Sequence, residues 1–193
     1  MADSPTSPAS RLWFTSDHHF GHDNIRAHCQ RPFDSTEEMN EALIARWNAC
    51  VAPSNTVYHL GDLFLCSLDE AKVIRRRLHG NICLIRGNHD KTAGRMKESF
   101  GWVKDYYELK VEDTDAPSGK QLIILCHYAF LVWRNAHHGS WHLYGHSHGS
   151  LPSVGSSMDV GVDCHDFSPI SYDQIKRALF VSNGLAVAHA NVE

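Results

Sequence analysis

No apolar run in this chain reaches the length of a membrane span. The longest, Leu122 to Trp133, is interrupted by His127 and falls far short of the ~20 residues that cross a bilayer. An excess of positive charge is missing too. Lys and Arg number 18 against 22 Asp and Glu, a formal net charge of −4, which removes the electrostatic footprint of a dedicated nucleic-acid binder. The first ten residues, Met1 to Ser10, have neither a basic stretch nor an apolar one. They read as a Ser/Pro/Ala tail rather than a secretory signal, and a cytoplasmic protein without membrane attachment is expected. The six cysteines (Cys29, Cys50, Cys66, Cys83, Cys126, Cys164) form no Cys-x-x-Cys pair. They are read as reduced, with Cys83 and Cys126 acting as small hydrophobes in apolar runs. Repeats, long charge blocks and low-complexity segments are absent beyond the tail. The 193 residues, 42% hydrophobic and 21% charged, fit one globular domain over residues 11–193 after a tail over 1–10.

What the chain has in quantity is histidine, 15 residues against 18 Lys and Arg together. Histidine is the commonest metal ligand, so a metalloenzyme is the first candidate. Short β-branched and aromatic runs predict strands at Leu12–Ser16, Thr56–Leu60, Ile82–Arg86, Tyr106–Val111, Gln121–Cys126, Trp141–Tyr144, Met158–Val162 and Leu185–Ala190. Capping boxes at Ser35 and Ser67 open two amphipathic helices. The first turns Met39, Leu43, Ile44 and Trp47 inward, and the second Ala71, Ile74 and Leu78, with Arg75, Arg76 and Arg77 mostly outward. A third helix is expected over about Tyr172–Phe180, and Glu112–Lys120 reads as a hairpin tip. Strands alternating with helices, then a strand-rich second half, predict a layered α/β fold with a mixed sheet or two packed sheets.

Five islands share one feature: an apolar run ends and Asp, His or Asn follows at once. They are Thr15-Ser16-Asp17-His18-His19, His59-Leu60-Gly61-Asp62, Arg86-Gly87-Asn88-His89-Asp90, Cys126-His127 and Gly145-His146-Ser147-His148. Ligands of open α/β sheets bind outside the carboxyl ends of the strands, so these ends gather Asp17, His19, Asp62, Asn88, His127, His146 and His148. Asp17 and His19 are two apart, and an extended segment would point both the same way. Gly61, Gly87 and Gly145 precede candidate ligands, where tight turns and close approach favour glycine. Carboxylate, imidazole and amide oxygen without thiolate suit manganese, iron, nickel or a catalytic zinc. Seven ligands exceed one tetrahedral ion and match two octahedral ions. Such ions, ~3.5–4 Å apart, can hold a hydroxide for displacement at phosphorus.

Asp-x-His, Gly-Asp, Gly-Asn-His-Asp, a lone His after a strand and Gly-His-Ser-His, in this order from Asp17 to His148, resemble the calcineurin-like metallophosphoesterase superfamily. Arg31-Pro32-Phe33, Val160-Gly161-Val162-Asp163 and Pro169-Ile170-Ser171 resemble its small single-domain branch of predicted phosphoesterases. The resemblance implies a four-layer α/β/β/α sandwich with two packed mixed sheets. It implies Asp17, His19 and His148 on a first divalent ion, Asn88, His127 and His146 on a second, and Asp62 bridging them. Manganese is the first expectation, with iron, nickel or zinc as alternatives. His89 is implied as a catalytic histidine that is no ligand, and Asp90 as the partner orienting it. The implied reaction is hydrolysis of a phosphate ester by in-line attack of the bridging hydroxide. Asp62 is followed by Leu63-Phe64-Leu65-Cys66-Ser67, unlike the Asp-Arg-Gly signature of phosphoprotein phosphatases, and no tyrosine ligand pattern of purple acid phosphatases is present. A small phosphodiester or nucleotide is therefore the expected substrate. A monoester or a nucleic acid is the alternative, and a partner-binding scaffold is the rival from another class. All the ligand positions and His89 are present, which weighs against the scaffold.

Substrate contacts are expected from His22, Arg31 and Arg86, the arginines because a guanidinium is a two-pronged phosphate donor. His18 should point away from its neighbours, and His59 should pack in its strand. His165 and Asp166 read as surface. Trp13, Trp47, Trp102 and Trp141 read as core, and Trp133 as a pocket wall.

Overall fold

The apolar runs pair into two sheets in the computed structural model, which describes residues 9–116 and 118–180. The first sheet holds β1 (Leu12–Thr15), β2 (Thr56–His59), β3 (Asn81–Ile85), β4 (Trp102–Lys104) and β9 (Ile170–Ser171), ordered β4-β3-β2-β1-β9. Its first four strands are parallel and β9 is antiparallel to β1. The second sheet holds β5 (Tyr106–Glu112), β6 (Lys120–Cys126), β7 (Trp141–Tyr144) and β8 (Ser157–Asp159) in chain order. β5 and β6 form the expected hairpin, with Glu112 opposite Lys120, and β6, β7 and β8 run parallel.

Alternation along each strand divides the core. Val57, Ile82 and Leu84 face α2 (Thr36–Cys50) and α3 (Leu68–Arg77), packing on Met39, Leu43, Trp47 and Ile74. Phe14, Tyr58, Cys83 and Ile85 point the other way, against Leu109, Ile123, Leu125 and Leu143 of the second sheet. The result is an α/β fold with two packed mixed sheets. A helix over residues 172–180 buries Tyr172, Ile175 and Leu179 against that inter-sheet core.

Local chemistry explains the helix starts. Ser67 accepts from the Glu70 amide while Glu70 accepts from the Ser67 amide, a complete capping box. Ser35 accepts from the Glu38 amide, but the Glu38 carboxylate takes the Asp34 amide instead. Arg75 departs from the solvated face expected of it: it is half-buried and donates to the carbonyls of Ser99, Leu78 and Gly80. Two strands were not legible, β4 with three residues and β9 with two, because neither is long enough to show a period. The strand expected at Leu185–Ala190 lies outside the described residues. Among the described residues no helix is long and apolar enough to cross a membrane.

Candidate metal centre

The strands β1, β2, β3, β6 and β7 end on one side, and each is followed within a few residues by one of the five islands. Backbone hydrogen bonds tie the islands to one another. The amides of Asp17 and His19 donate to the carbonyls of Gly61 and Asp62 at 2.9 and 3.0 Å, and the Gly145 amide donates to the His127 carbonyl at 3.0 Å. Asp17, His19, Asp62, His146 and His148 all have φ between 47° and 67°. This left-handed backbone costs a non-glycine residue about 1–2 kcal/mol, and strain of this kind collects where function fixes the geometry. It also corrects the pleat argument: Asp17 and His19 do meet, but through left-handed turns rather than an extended segment.

Two groups of potential ligand atoms result. Asp17, His19 and His148 form one and Asp62, His127 and His146 the other, the atoms of each lying within 4.8 Å of one another. Asp62 Oδ2 stands between them, 3.6 Å from His19 Nε2 and 3.5 Å from His127 Nε2. Asn88 joins the second group, its Oδ1 3.2 Å from His127 Nε2. Hydrogen bonds behind these side chains leave one atom of each turned inward. His127 Nδ1–H donates to the Leu60 carbonyl at 2.7 Å, so Nε2 offers its lone pair to the centre. His148 Nδ1 pairs with Asp163 at 2.7 Å, so its Nε2 is the nitrogen turned to the centre. One oxygen of Asp17 accepts from the His146 amide and one of Asp62 from the His89 amide, leaving the other oxygen of each for the centre.

The arrangement fits cations. Asp17 Oδ1 and both ring nitrogens of His19 are buried without a hydrogen-bond partner, and Asp62 Oδ2 faces the Nε2 atoms of His19 and His127. Unpaired buried acceptors facing each other are costly unless a positive charge lies between them. The titration behaviour has the same origin. Burial pushes the Asp17 carboxyl up to about 7. Burial opposes charge on His148 too, but its bonds to Asp163 and Cys29 and the charge of Asp17 push it up to about 10. Burial holds His19 well below the ordinary histidine value. Cys29, His148 and Asp163 form a further group of potential ligand atoms.

Glycine brings these backbones close. A Cβ on Gly145 would collide with Ser16 Oγ and Asp17 Oδ2, and one on Gly87 with Asp62 Oδ1. Gly145→Ala is therefore expected to lower stability by about 1–3 kcal/mol and to shrink the rise in melting temperature on adding Mn²⁺, as thermal unfolding with and without the ion will show.

His89 and His22 line the same cleft of about 530 Å³ as His19, Asp62, Asn88, His146 and His148. Their rings lie 5.5 and 5.3 Å from that of His19, centroid to centroid. Asp90 does not reach the His89 ring. Its carboxylate accepts from the amides of Asp62, Leu63 and Gly87 at 2.8–2.9 Å, so it clamps two turns together instead of orienting an imidazole. Arg31 is likewise displaced from its expected place: its guanidinium is buried behind the ligands and forks onto Asp163. Arg86 is exposed, paired with Asp105, and lines a neighbouring hollow of about 330 Å³ with Asn88, Lys91 and Tyr128. Trp133 is no cleft wall; it donates to the Ser140 carbonyl and packs on His142. Asp163 and Asp159 were missed as site residues. Asp159 accepts from Ser147 and from the amides of Gly149 and Gly161, which holds the loop carrying His146 and His148. Asp163 follows Val160 and Val162, both buried, the same apolar-run-then-acid signal that marked the five islands.

His18 and His59 lie beneath the centre, fully buried and 2.9 Å apart. The Gly61 amide donates to His59 Nδ1, so His59 Nε2–H donates to His18 Nδ1. Burial lowers both, His59 to about 3. Between pH 6.5 and about 3 the unfolded chain binds protons that the folded chain refuses, so this pair makes stability fall as pH falls. The slope approaches about 1.4 kcal/mol per unit for His59, and His18 adds in the same direction. Neither ring is expected to titrate between pH 8 and 5 in ¹⁵N-resolved spectra, and a midpoint near 6.5 would refute the assignment.

Comparison with known proteins comes down on one family. The model of the calcineurin-like phosphoesterases matches residues 10–164. The chain is 32% identical over 179 residues to an uncharacterized protein of Methanocaldococcus jannaschii, covering 88% of this chain and 91% of that protein. It is 25% identical over 171 residues to the gene 66 protein of Mycobacterium phage L5, covering 74% and 79%. A protein of unknown function from Aquifex aeolicus has the same fold, with a TM-score of 0.64 at 24% identity, covering 86% of this chain and 98% of that one. The chain belongs to the calcineurin-like phosphoesterase family, and so to the metal-dependent phosphoester hydrolases.

Proposed function

We propose that this protein is a dinuclear metallophosphoesterase that hydrolyses small phosphodiesters or nucleotides, with manganese as the first ion to test. The observation that carries the reading is Asp62 Oδ2, set between two ligand groups at 3.6 and 3.5 Å from their histidines. Asp17, His19 and His148 would hold one ion, Asn88, His127 and His146 the other, and Asp62 both. Divalent ions so held supply Lewis acidity, drawing charge from phosphoryl oxygens and lowering the pKa of water.

The chain's own residues do the rest. The His89 amide fixes Asp62 Oδ1, so the backbone of that residue serves the ligands while its ring stays free in the cleft. A ring nitrogen of His89 is placed to give a proton to the leaving oxygen, and His22 across from it offers an N–H to a phosphoryl oxygen. Two hollows meet at Asn88, the cleft of His19, His22 and His89 and the smaller recess of Arg86, Lys91 and Tyr128. A diester has a substituent for each, whereas a monoester fills one. This favours the diester and gives Tyr128, half-exposed, a ring or base to stack on.

The test is hydrolysis of bis(p-nitrophenyl) phosphate beside p-nitrophenyl phosphate by the Mn²⁺-reconstituted protein. The expected result is chelator-sensitive turnover favouring the diester. Preference for the monoester would refute the diester assignment, and no turnover of either with two ions bound would refute the hydrolase.

A further inference from the structure

Arg31 is a buried cation with a side chain shut off from solvent, and burying a charge is costly unless every donor is used. Here all five are used. Nε–H and one Nη2–H donate to the two oxygens of Asp163, both at 2.8 Å. The other Nη2–H donates to the Asp17 carbonyl at 2.7 Å, and Nη1 donates to the His18 carbonyl at 2.9 Å and to Met39 Sδ at 3.6 Å. Asp163 Oδ2 also accepts from His148 Nδ1.

These contacts converge on one of the two ligand groups. The carbonyls of Asp17 and His18 belong to the left-handed turn that presents Asp17 and His19, and the Asp163 contact fixes which nitrogen of His148 faces the centre. Residues 132 apart in the chain are joined by one ion pair. In the second group His127 is anchored elsewhere, by the Leu60 carbonyl, and of the contacts with the first group His146 takes only an amide bond to Asp17 Oδ2. We infer that Arg31 and Asp163 form a lock for one metal position only: they are positioning residues that hold Asp17, His19 and His148 as a set and leave the Asn88, His127 and His146 position standing without them. The inference rests on the dinuclear reading proposed above.

A guanidinium used in this way has no donor left for a phosphate, so its loss shows in metal binding before it shows in substrate binding. The experiment is Mn²⁺ titration and metal analysis of the full chain, with electron paramagnetic resonance of the loaded forms. Wild type is expected to bind two ions with the spectrum of a coupled pair. Arg31→Met is expected to keep one and to bind the other about 10- to 100-fold more weakly, giving the six-line spectrum of an isolated ion. Where that variant leaves Asp163 as an unpaired buried charge and fails to fold, Arg31→Met with Asp163→Leu removes both charges and is expected to give the same single-ion result. Arg31→Lys, which cannot fork, is expected to fall between. Zn²⁺-loaded wild type supplies a readout that needs no variant: long-range ¹H–¹⁵N spectra are expected to show the His148 proton on Nδ1. Two ions at unchanged affinity in a folded variant, equal loss of both ions, or an Nε2–H tautomer would each overturn the lock. Wild type binding fewer than two ions would instead overturn the dinuclear reading beneath it.

Discussion

Asp62→Asn is expected to weaken both metal positions at once and to cut phosphodiester hydrolysis by at least about a thousandfold, which is roughly 4 kcal/mol of transition-state stabilisation. The reason is placement. One carboxylate oxygen faces His19 Nε2 and His127 Nε2 at nearly equal distance, so it contributes its charge to both groups. An amide keeps the shape but loses the charge, and its NH₂ presents donors where a cation should sit. The same change is felt in the metal-free protein as well. Burial disfavours charge on Asp62, but the contacts with His127 and the His89 amide hold its carboxyl below the ordinary range. An amide there can donate to an otherwise unpaired ring nitrogen of His19. Metal-free Asp62→Asn is therefore expected to melt lower than metal-free wild type, the new amide contact offsetting only part of the lost charge, and the Mn²⁺-induced gain in melting temperature is expected to disappear. A variant that lost one ion and kept the other would show that Asp62 serves a single position.

His89→Ala is expected to separate chemistry from binding. The ring is exposed and contributes no ligand atom, while the contact that matters to Asp62 comes from the His89 amide, which alanine retains. Metal content should stay at the wild-type value and kcat should fall about 10²- to 10⁴-fold, the range for removing a general acid. The fall should grow with the basicity of the leaving alcohol: small for a nitrophenolate, which leaves without help, and large for an alkoxide. If the ions were lost, His89 would be a ligand. If the rate fell equally for good and poor leaving groups, the ring would be serving the phosphoryl oxygens.

Much of this site is legible in the sequence, because its signal is local. A buried strand must be apolar, its carboxyl end lies at the crevice, and a change from Phe14 or Leu125 to Asp or His within a few residues marks the end without any knowledge of partners. The ligand candidates come out of that pattern and lie together, whereas His89, which lines the same cleft, is implied only by the family resemblance. What stayed hidden depends on contacts between distant segments or on backbone angles. The 132-residue separation of Arg31 and Asp163 gives no local cue, and an arginine near a phosphate-type site reads as a substrate clamp. Asp90 adjoins His89 in sequence, which suggests a side-chain pair, yet its position lets it collect three backbone amides instead. The left-handed backbone of Asp17 and His19 has no marker, since neither is glycine. Trp133 next to Arg134 reads as a pocket wall, but His142, buried on the outer side of β7, draws the indole away. The fold follows the same division: long runs and capping boxes announce themselves, while a strand of three residues at Trp102–Lys104 exists only because β3 pairs with it.

The central claim is that two cations sit on either side of Asp62, and anomalous diffraction from a crystal soaked in Mn²⁺ tests it most directly. Two peaks flanking the Asp62 carboxylate are expected, one among Asp17, His19 and His148 and the other among Asn88, His127 and His146. A single peak, or density at Cys29, His148 and Asp163 with the Asp62 positions empty, would contradict it.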